Sequence, residues 1–137
     1  MVCSHKDKIM PDYAAIDDHT ILSYIFYPRV NFSISPKWGF DVFVTVEEGA
    51  VVHCRFYKED NTWPWILHFH GNGEVVSDYD ELSLFYLKNG LNLVVADYRG
   101  YGKSTGEPSL ANLVHDSHII YRAVVQELSE RGFNEAL

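Results

Sequence analysis

Apolar and polar residues alternate along one stretch of the chain. Elsewhere, apolar residues form continuous runs. The alternation over Phe40–Val46 predicts a half-buried β-strand, and a second strand, Val51–Tyr57, follows it after the short turn Glu47–Ala50. Two strands joined by so short a turn form an antiparallel hairpin. The run Trp65–His70 predicts a third strand. Leu91–Asp97 is apolar almost throughout, which is typical of a parallel strand covered on both faces.

Three further stretches carry the signals of helices. In the first, Ala14–Tyr27, the apolar residues are spaced for one buried face. Asp17 and Asp18 are expected in its first turn, and Pro28 ends the helix. In the second, Ser77 or Asp78 is expected to cap the N-terminus. In the third, recurring apolar residues predict one buried stripe. The predicted helices are Ala14–Tyr27, Val75–Leu87 and Ser109–Arg131.

The order of these elements predicts the class of the fold. A hairpin is followed by a strand, a helix, a strand and a helix, and parallel strands joined through helices form an α/β sheet. With 137 residues, the chain is long enough for one domain. Residues 1–39 are expected to form an N-terminal helix and connector, and residues 40–137 the sheet and two helices.

Composition and charge argue against several classes of partner. The net charge is −8 and the basic residues do not cluster, which disfavours nucleic acid or a membrane surface as the main partner. The longest apolar stretches fall far short of the ~20 residues that a membrane-spanning helix needs. The N-terminus lacks the apolar core of a secretory signal, so a cytoplasmic protein is expected. Cys3 and Cys54 form no redox motif and are expected to be reduced thiols.

The segment Gly102–Gly106 matches the G-x-S-x-G pattern of a nucleophile elbow. That pattern requires a serine on a strained turn between the end of a strand and the start of a helix. Ser104 instead lies in a loop seven positions after Asp97, and Glu107-Pro108 separates it from the helix. A loop serine that hydrogen-bonds to the backbone is therefore favoured over a nucleophile.

The same loop falls just short of two nucleotide-binding patterns. A phosphate loop would need glycine where Asp97 stands, and a dinucleotide fingerprint would need glycine where Thr105 stands. Phosphate binding through Gly100–Gly106 stays as an alternative function.

Two pairs of histidines have spacings that could hold a metal ion. Neither pair has a third and fourth ligand at a recognisable spacing, so ordinary core or surface histidines are favoured and no metal or cofactor is expected. The pairs are His68 with His70 and His115 with His118.

An H-G-N-G sequence, His70-Gly71-Asn72-Gly73, follows the third predicted strand. Ligands of open parallel sheets bind beyond the carboxyl ends of the strands. A glycine-rich turn at that place can leave backbone N–H groups free to stabilise an oxyanion. Taken alone, the sequence is equally compatible with an ordinary tight turn.

Read together, the two loops carry more information than either one alone. The segment HFHGNGE, a helix, and then VVADYRGYGKSTGEPS resembles the front half of the α/β-hydrolase fold, in its branch of esterase-like and peptidase-like serine hydrolases. The resemblance covers roughly Phe40–Gly132. It implies a sheet in which the hairpin strands are followed by the fourth, the third and then a fifth strand.

The resemblance also assigns roles to residues of both loops. The backbone N–H of Asn72, with Gly73 next to it, would form half of the oxyanion hole, and His70 and Gly71 would belong to that turn rather than to the catalytic triad. The second loop would shape the site from behind, and a buried Asp97–Arg99 pairing with loop backbone would account for its polar residues. The motif residues of this loop are Asp97, Arg99, Gly100, Gly102 and Ser104.

In the family, the nucleophile follows a fifth strand and the acid and histidine come later. The chain is expected to end where that fifth strand would begin. It is therefore predicted to be the N-terminal part of a serine hydrolase that acts on ester, thioester or amide bonds. The full-length protein is expected to take a small acyl substrate. Residues 1–137 by themselves are expected to be inactive. The alternative is a non-catalytic binding module that retains half of the fold.

Without a fifth strand, the third strand would form a bare edge. A flat apolar edge is a site of pairing between chains, so self-association through Trp65–His70 is expected. Trp63 and Trp65 are expected to lack part of their cover.

Overall fold

The computed structural model describes residues 11–137, so Cys3 lies outside the described residues. These residues form a mixed four-stranded sheet with helices on both faces and a short 3₁₀ turn before each of the first two α-helices. The strands are β1 (Gly39–Glu47), β2 (Ala50–Tyr57), β3 (Trp65–Phe69) and β4 (Asn92–Ala96). The helices are α1 (His19–Ile25), α2 (Asp80–Lys88) and α3 (Leu110–Glu130), and the 3₁₀ turns are Tyr13–Ile16 and Val76–Tyr79.

The order of the strands in the sheet is β1-β2-β4-β3. β1 and β2 pair antiparallel, as do β2 and β4, whereas β3 and β4 run parallel from Trp65 opposite Asn92 to Phe69 opposite Ala96. The predicted hairpin, the parallel pair, the strand order and the edge position of β3 are thereby confirmed. Because β3 and β4 are parallel and in register, the loops that follow them emerge side by side at one edge of the sheet.

The sheet separates two apolar cores. All five residues of β4 are buried, as expected for a strand covered on both faces. The α3 face of the sheet packs against the predicted stripe of α3, and the other face packs against the Val76–Tyr79 turn. The buried residues of α3 in the first core are Ile120, Val124 and Leu128, and the second core contains Tyr57, Val76, Tyr79, Leu93 and Val95.

The predicted helix Ala14–Tyr27 is not continuous, and the break falls at the two aspartates placed in its first turn. Asp18 is the N-cap of α1, where its carboxylate accepts the backbone N–H groups of Thr20 and Ile21. The Asp17 carboxylate instead accepts the N–H groups of Leu110 and Ala111, at 2.7 and 3.0 Å, and so caps the start of α3. Aspartate side chains compete with the helical backbone for hydrogen bonds, which is why they end helices as well as start them.

The second predicted helix begins differently from expectation. Residues Val76–Tyr79 form a 3₁₀ turn, and the α-helix starts at Asp80. Neither Ser77 nor Asp78 caps α2. The Asp78 carboxylate accepts the backbone N–H of Val75 at 3.0 Å, so it stabilises the start of the 3₁₀ turn.

Trp65 is covered, contrary to expectation, and is only 2% exposed. Phe133 stacks on its ring with 5.7 Å between centroids, and Phe56 meets it edge-on. The carbonyl of Ala136 accepts the Trp65 backbone N–H at 2.8 Å. The segment after α3 therefore folds back over the start of β3, and Trp63 is half-buried beside it.

No helix within residues 11–137 is both long enough and apolar enough to cross a membrane. Cys54 is a buried free thiol in the middle of β2.

Candidate functional site

The H-G-N-G turn follows β3 and lies against the loop after β4. His70 is buried, and its Nε2 lies 2.8 Å from Asp97 Oδ1. Its Nδ1 lies 2.8 Å from the carbonyl oxygen of Gly71. Because both ring nitrogens contact oxygen atoms of the protein, the ring fixes the turn and is not available as a catalytic base.

Asp97 anchors both ends of this turn. Its side chain is fully buried, and Oδ1 accepts the backbone N–H of Val76 at 3.1 Å as well as contacting His70. Burial opposes ionisation of Asp97, but the contacts with His53 and His70 outweigh it and hold the pKa of this carboxyl below its usual value. One carboxylate thus joins the residue before the glycines to the 3₁₀ turn after them.

His53 extends this buried charge network across the sheet. Its Nδ1 lies 3.3 Å from Asp97 Oδ2, and its Nε2 lies 3.0 Å from Asp41 Oδ1. Both ring nitrogens face carboxylate oxygens, an arrangement that favours the protonated ring. Burial lowers the pKa of His53, but the two carboxylates outweigh burial and raise it above its ordinary value.

Asp41 connects the network to the protein surface. Burial disfavours its charged form, but His53, Arg55 and Lys103 together hold its pKa far below the usual range. Arg55 is fully buried and contacts both carboxylate oxygens of Asp41, at 2.7 and 3.1 Å, and also Asp80. The buried guanidinium of Arg55 is therefore matched by two carboxylates, as a dry interior requires.

The predicted pairing of Asp97 with Arg99 is wrong. Arg99 contacts Asp116 of α3 through two hydrogen bonds, of 2.7 and 2.8 Å, and Glu47 through a third of 2.7 Å. Asp97 contacts His70 and the residues on the other side of the sheet. The two side chains leave the loop towards opposite faces, so each finds a different partner.

Ser104 is a structural residue of the loop, as the sequence predicts. Its hydroxyl oxygen accepts the backbone N–H of His53 at 2.9 Å, and its own N–H donates to the carbonyl of Tyr101 at 2.8 Å. The hydroxyl therefore joins the loop to β2 and is not hydrogen-bonded to a histidine ring.

Two N–H groups of the glycine-rich loop after β4 are bonded within the protein. Gly102 N–H donates to the carbonyl of Arg29 at 2.7 Å, and Thr105 N–H donates to the carbonyl of Val51 at 2.9 Å. Gly100 and Gly102 both have positive φ, at 77° and 56°. A Cβ on Gly102 would overlap the Asp97 carboxylate, so glycine is required where the loop crosses that residue. These two N–H groups are thus not available to a phosphate, and phosphate binding through Gly100–Gly106 stays an alternative prediction.

The side chain of Asn72 is hydrogen-bonded to neighbouring residues, whereas its backbone N–H has no hydrogen-bond acceptor within residues 11–137. The side-chain oxygen accepts the Tyr101 hydroxyl at 2.9 Å and the Tyr27 N–H at 3.2 Å, and the side-chain nitrogen donates to the carbonyl of Ile25. Within residues 11–137, no acceptor is hydrogen-bonded to the N–H of Asn72 or of Gly73. The N–H of Gly71, in contrast, donates to Glu74 at 2.8 Å.

The carbonyl groups of the turn are fixed by neighbouring side chains. The Tyr98 hydroxyl donates to the carbonyl of His70 at 2.6 Å, and Arg29 donates to that of Gly73 at 3.0 Å. Arg29 also forms an ion pair with Asp78 at 2.7 Å. The turn is thus supported on several sides, while two adjacent N–H groups remain available for a ligand.

An apolar pocket of about 180 Å³ opens beside Asn72. Its walls come from the end of α1, the loop after β4 and the first turn of α3. The residues that line it are Ile25, Phe26, His70, Asn72, Tyr98, Tyr101, Leu110 and Leu113.

The described residues contain neither a catalytic triad nor a cluster of metal ligands. No serine hydroxyl within residues 11–137 is hydrogen-bonded to a histidine ring, and in the same part of the chain no three potential ligands converge. His68 contacts the Tyr79 hydroxyl at 2.8 Å, and His115 lies 3.2 Å from Asp116.

The sequence reasoning missed the network of His53, Asp41 and Arg55, and it missed Asp116 as the partner of Arg99. One signal could have revealed part of the network. His53 and Arg55 alternate with apolar residues on β2, and Asp41 stands opposite Arg55 in the hairpin, so the three share one face of the sheet.

The chain is similar to several known proteins. No family model matches the chain. It is 29% identical over 102 residues to the uncharacterized protein YfhR of Escherichia coli K12, across 70% of this chain and 36% of that protein. It is 26% identical to the lysophosphatidylserine lipase ABHD12 of Danio rerio, across 74% of this chain and 29% of the lipase. The chain thus spans about a third of the length of these curated relatives.

Two solved structures share its fold. An alpha-beta hydrolase from Vibrio vulnificus superposes with a TM-score of 0.55 at 23% identity, over 65% of this chain and 30% of the other. The esterase Pf2001 of Pyrococcus furiosus superposes with a TM-score of 0.54 at 24% identity, over 77% of this chain and 43% of the esterase.

Proposed function

We propose, because this chain belongs to the α/β-hydrolase fold superfamily, that it provides the oxyanion-binding turn of a serine hydrolase for ester, thioester or amide bonds. The observation that carries the proposal is the pair of N–H groups of Asn72 and Gly73, which have no acceptor within residues 11–137. Attack on an acyl carbonyl places negative charge on its oxygen, and fixed N–H donors stabilise that charge. A lipase and an esterase among the similar proteins support an acyl substrate.

The support around the turn suits this role. An oxyanion hole lowers the activation barrier because its donors are already in place before the reaction starts. Here Asp97 and His70 hold the ends of the turn, and Tyr98 and Arg29 hold its carbonyl groups. The loss of one such donor typically lowers kcat about 100- to 1000-fold.

The nucleophile, acid and base would come from residues outside 11–137. Ser104 is bound to the β2 backbone, and both ring nitrogens of His70 contact protein oxygens. The chain by itself is therefore expected to hydrolyse p-nitrophenyl butyrate no faster than a buffer control. Turnover that disappears in Ser104→Ala would contradict this assignment of Ser104.

An acetate titration of the ¹⁵N-labelled chain, followed by NMR, tests the oxyanion role directly. The carboxylate is expected to shift the amide signals of Asn72 and Gly73. The Gly71 amide, whose N–H is already bonded to Glu74, is the internal control and is expected to move little. A response spread over the surface, or none at Asn72, would overturn the proposal.

A further inference from the structure

His53 lies in the middle of β2, and three neighbouring side chains favour the protonated form of its ring. Its Nε2 lies 3.0 Å from Asp41 Oδ1, and its Nδ1 lies 3.3 Å from Asp97 Oδ2. Carboxylates accept hydrogen bonds and donate none, and only an imidazolium carries a proton on each nitrogen. Phe43, opposite His53 in the hairpin, stacks on the ring with 5.0 Å between the centroids. Since aromatic faces attract cations, this contact also favours the charged ring.

The charge of His53 matters less to Asp41 than to Asp97. Asp41 contacts two other cations, because Arg55 reaches both of its oxygens and Lys103 lies 3.0 Å from Oδ2. Its charge therefore stays matched when His53 is neutral. The charged and titratable groups that face His53, directly or through the two carboxylates, are Asp41 from β1, Arg55 from β2, His70 from the turn after β3, and Asp97 and Lys103 from the loop after β4.

Asp97 has fewer partners on the side of its carboxylate that faces His53. Oδ1 accepts the backbone N–H of Val76 and contacts the His70 ring. Oδ2 contacts no cation or hydrogen-bond donor other than His53 within residues 11–137. The backbone at Gly102 packs against the same oxygen, where an added Cβ would overlap it. A change in the contact with His53 is therefore transmitted through the carboxylate to the two groups that hold the ends of the H-G-N-G turn.

Asp97 also influences the turn through its charge, because only the His70 side chain separates it from the start of the turn. A buried carboxylate opposes an anion bound nearby, since charges interact strongly in a medium of low dielectric constant. A proton on His53 offsets that charge. We infer that protonated His53 is a positioning residue of the oxyanion turn, which acts through Asp97 and sets the affinity of the turn for anions; the inference rests on the proposed role of Asn72 and Gly73.

The direction of the pH dependence follows from the same contacts. Burial lowers the pKa of His53, but Asp41 and Asp97 outweigh burial, so the ring in the folded protein stays charged to above about pH 6.5. Carboxylic acids titrate near pH 4, so acetate is ionised throughout this range. The affinity for acetate is therefore expected to fall as the pH rises through the pKa of His53 in the folded state.

The test is a series of acetate titrations of the ¹³C,¹⁵N-labelled chain, followed by NMR from about pH 6 to about pH 10. The ring ¹⁵N signals report the protonation of His53. The carbonyl carbons of Gly71 and Asn72, which are bonded to the two free amide nitrogens, report binding and do not depend on rapidly exchanging protons. The affinity is expected to fall at least about twofold with the midpoint of the His53 titration. Because coupling is reciprocal, saturating acetate is expected to move that midpoint to higher pH.

Asp41→Asn changes the titration of His53 and leaves Asp97 and the turn in place. It removes one of the two carboxylates that favour the charged ring, so the His53 titration and the affinity profile are expected to move together to lower pH. Asp12→Asn is the matched control, because it removes the same charge at an exposed position and contacts none of these groups. It is expected to move neither midpoint. Circular dichroism checks that both variants are folded.

His53→Gln removes the titrating group itself. Its affinity for acetate at about pH 6 is expected to be at least about twofold lower than that of the wild type, and independent of pH. If His53 acts through Asp97, the substitution changes the affinity less in an Asp97→Asn background than in the wild type. Equal effects in the two backgrounds would show that His53 acts by another route and would overturn the inference.

The remaining outcomes separate this inference from the proposed function. If acetate shifts the turn signals with an affinity that does not change as His53 titrates, or that changes equally in His53→Gln, the positioning role is overturned and the oxyanion role stands. A neutral His53 ring at about pH 6 overturns the positioning role as well. If acetate shifts neither turn signal at any pH, both proposals are overturned.

Discussion

Asp97 is the residue on which the geometry of the turn depends. It contacts His70, His53 and the N–H of Val76 from a fully buried position. Asp97→Asn keeps the shape but removes the charge from between two histidines, and is expected to lower the free energy of unfolding by about 3 kcal/mol. Urea denaturation measures this. Glu48→Gln, at the exposed hairpin turn, is the control and is expected to change stability by less than about 0.5 kcal/mol.

His53 predicts a dependence of stability on pH. Its pKa is raised in the folded state, so its ionic contacts stabilise the protein fully below about pH 6.5, its ordinary pKa. That contribution is lost as the pH rises through the higher pKa of the folded state. The free energy of unfolding is expected to fall over this range in the wild type and to fall less in His53→Gln. Equal slopes for the two proteins would contradict the ionic role of His53.

The lowered pKa values of Asp41 and Asp97 act at the other end of the pH range. Their stabilising effect is present above about pH 3.9, the usual aspartate pKa, and is lost as the pH falls through the lower pKa of the folded state. The contribution of the network is therefore expected to be greatest between these two ranges.

Gly102 and Gly49 form a matched pair, because both have positive φ, at 56° and 78°. An alanine at either position is strained by about 1–2 kcal/mol. Only at Gly102 would the added Cβ also meet the Asp97 carboxylate, whereas at Gly49 nothing lies within 4 Å. Gly102→Ala is therefore expected to destabilise the protein by about 1–3 kcal/mol more than Gly49→Ala in urea titrations. Equal effects would show that the loop can move away from Asp97.

The helices and strands that were predicted correctly are those whose residues show a clear local pattern of apolar and polar positions. The hairpin, β3 and β4 follow from alternation and from continuous apolar runs, and α3 follows from its recurring apolar positions. The break before α1 could not be predicted in this way, because Asp17 binds the start of α3, more than ninety positions along the chain.

The contrast between local patterns and contacts distant in sequence also explains which parts of the candidate site could be predicted. The H-G-N-G turn is continuous in sequence, so its place after β3 was predictable. The partners that hold it are not continuous with it: Asp97 and Tyr98 follow β4, and Arg29 follows α1. An aspartate and an arginine two positions apart suggested a pair, but the loop directs their side chains to opposite faces of the sheet.

The unpaired edge of β3 leads to a prediction about self-association of the chain. Within residues 11–137, no strand pairs with the outer side of β3, although Ala136 accepts the N–H of Trp65 there. We propose that the chain self-associates through this edge, since unpaired strand edges pair with one another. Light scattering is expected to show a mass that rises with concentration. A charge on the edge strand opposes pairing, so Ile66→Lys is expected to shift the equilibrium to monomer more than Leu82→Lys on α2. Because Ile66 also packs against the second core, circular dichroism checks that this variant is folded.

A monodisperse monomer at all concentrations would contradict this proposal. Equal effects of the two lysine variants would place the contact elsewhere on the molecule.

At the scale of the whole molecule, the described residues form a supported turn, an apolar pocket and the framework that joins them. α1 and α3 contribute walls of the pocket. The H-G-N-G turn follows β3 and the glycine-rich loop follows β4, and these strands are parallel neighbours. The contact between His70 and Asp97 fixes the turn against the loop. The similar hydrolases are two to three times longer than the matched part, so the chain corresponds to a portion of their fold. We propose that this portion stabilises the charge on the acyl oxygen and that bond cleavage depends on residues outside it.

The central claim is that the turn is built for a tetrahedral oxyanion, and a comparison of two anions of equal charge tests it most directly. Dimethylphosphinate is tetrahedral and acetate is planar, and their affinities can be read from the Asn72 amide signal in NMR titrations. An oxyanion hole is complementary to the tetrahedral transition state, so dimethylphosphinate is expected to bind several times more tightly than acetate. Equal or weaker binding of dimethylphosphinate, or no shift of the Asn72 amide with either anion, would contradict the account.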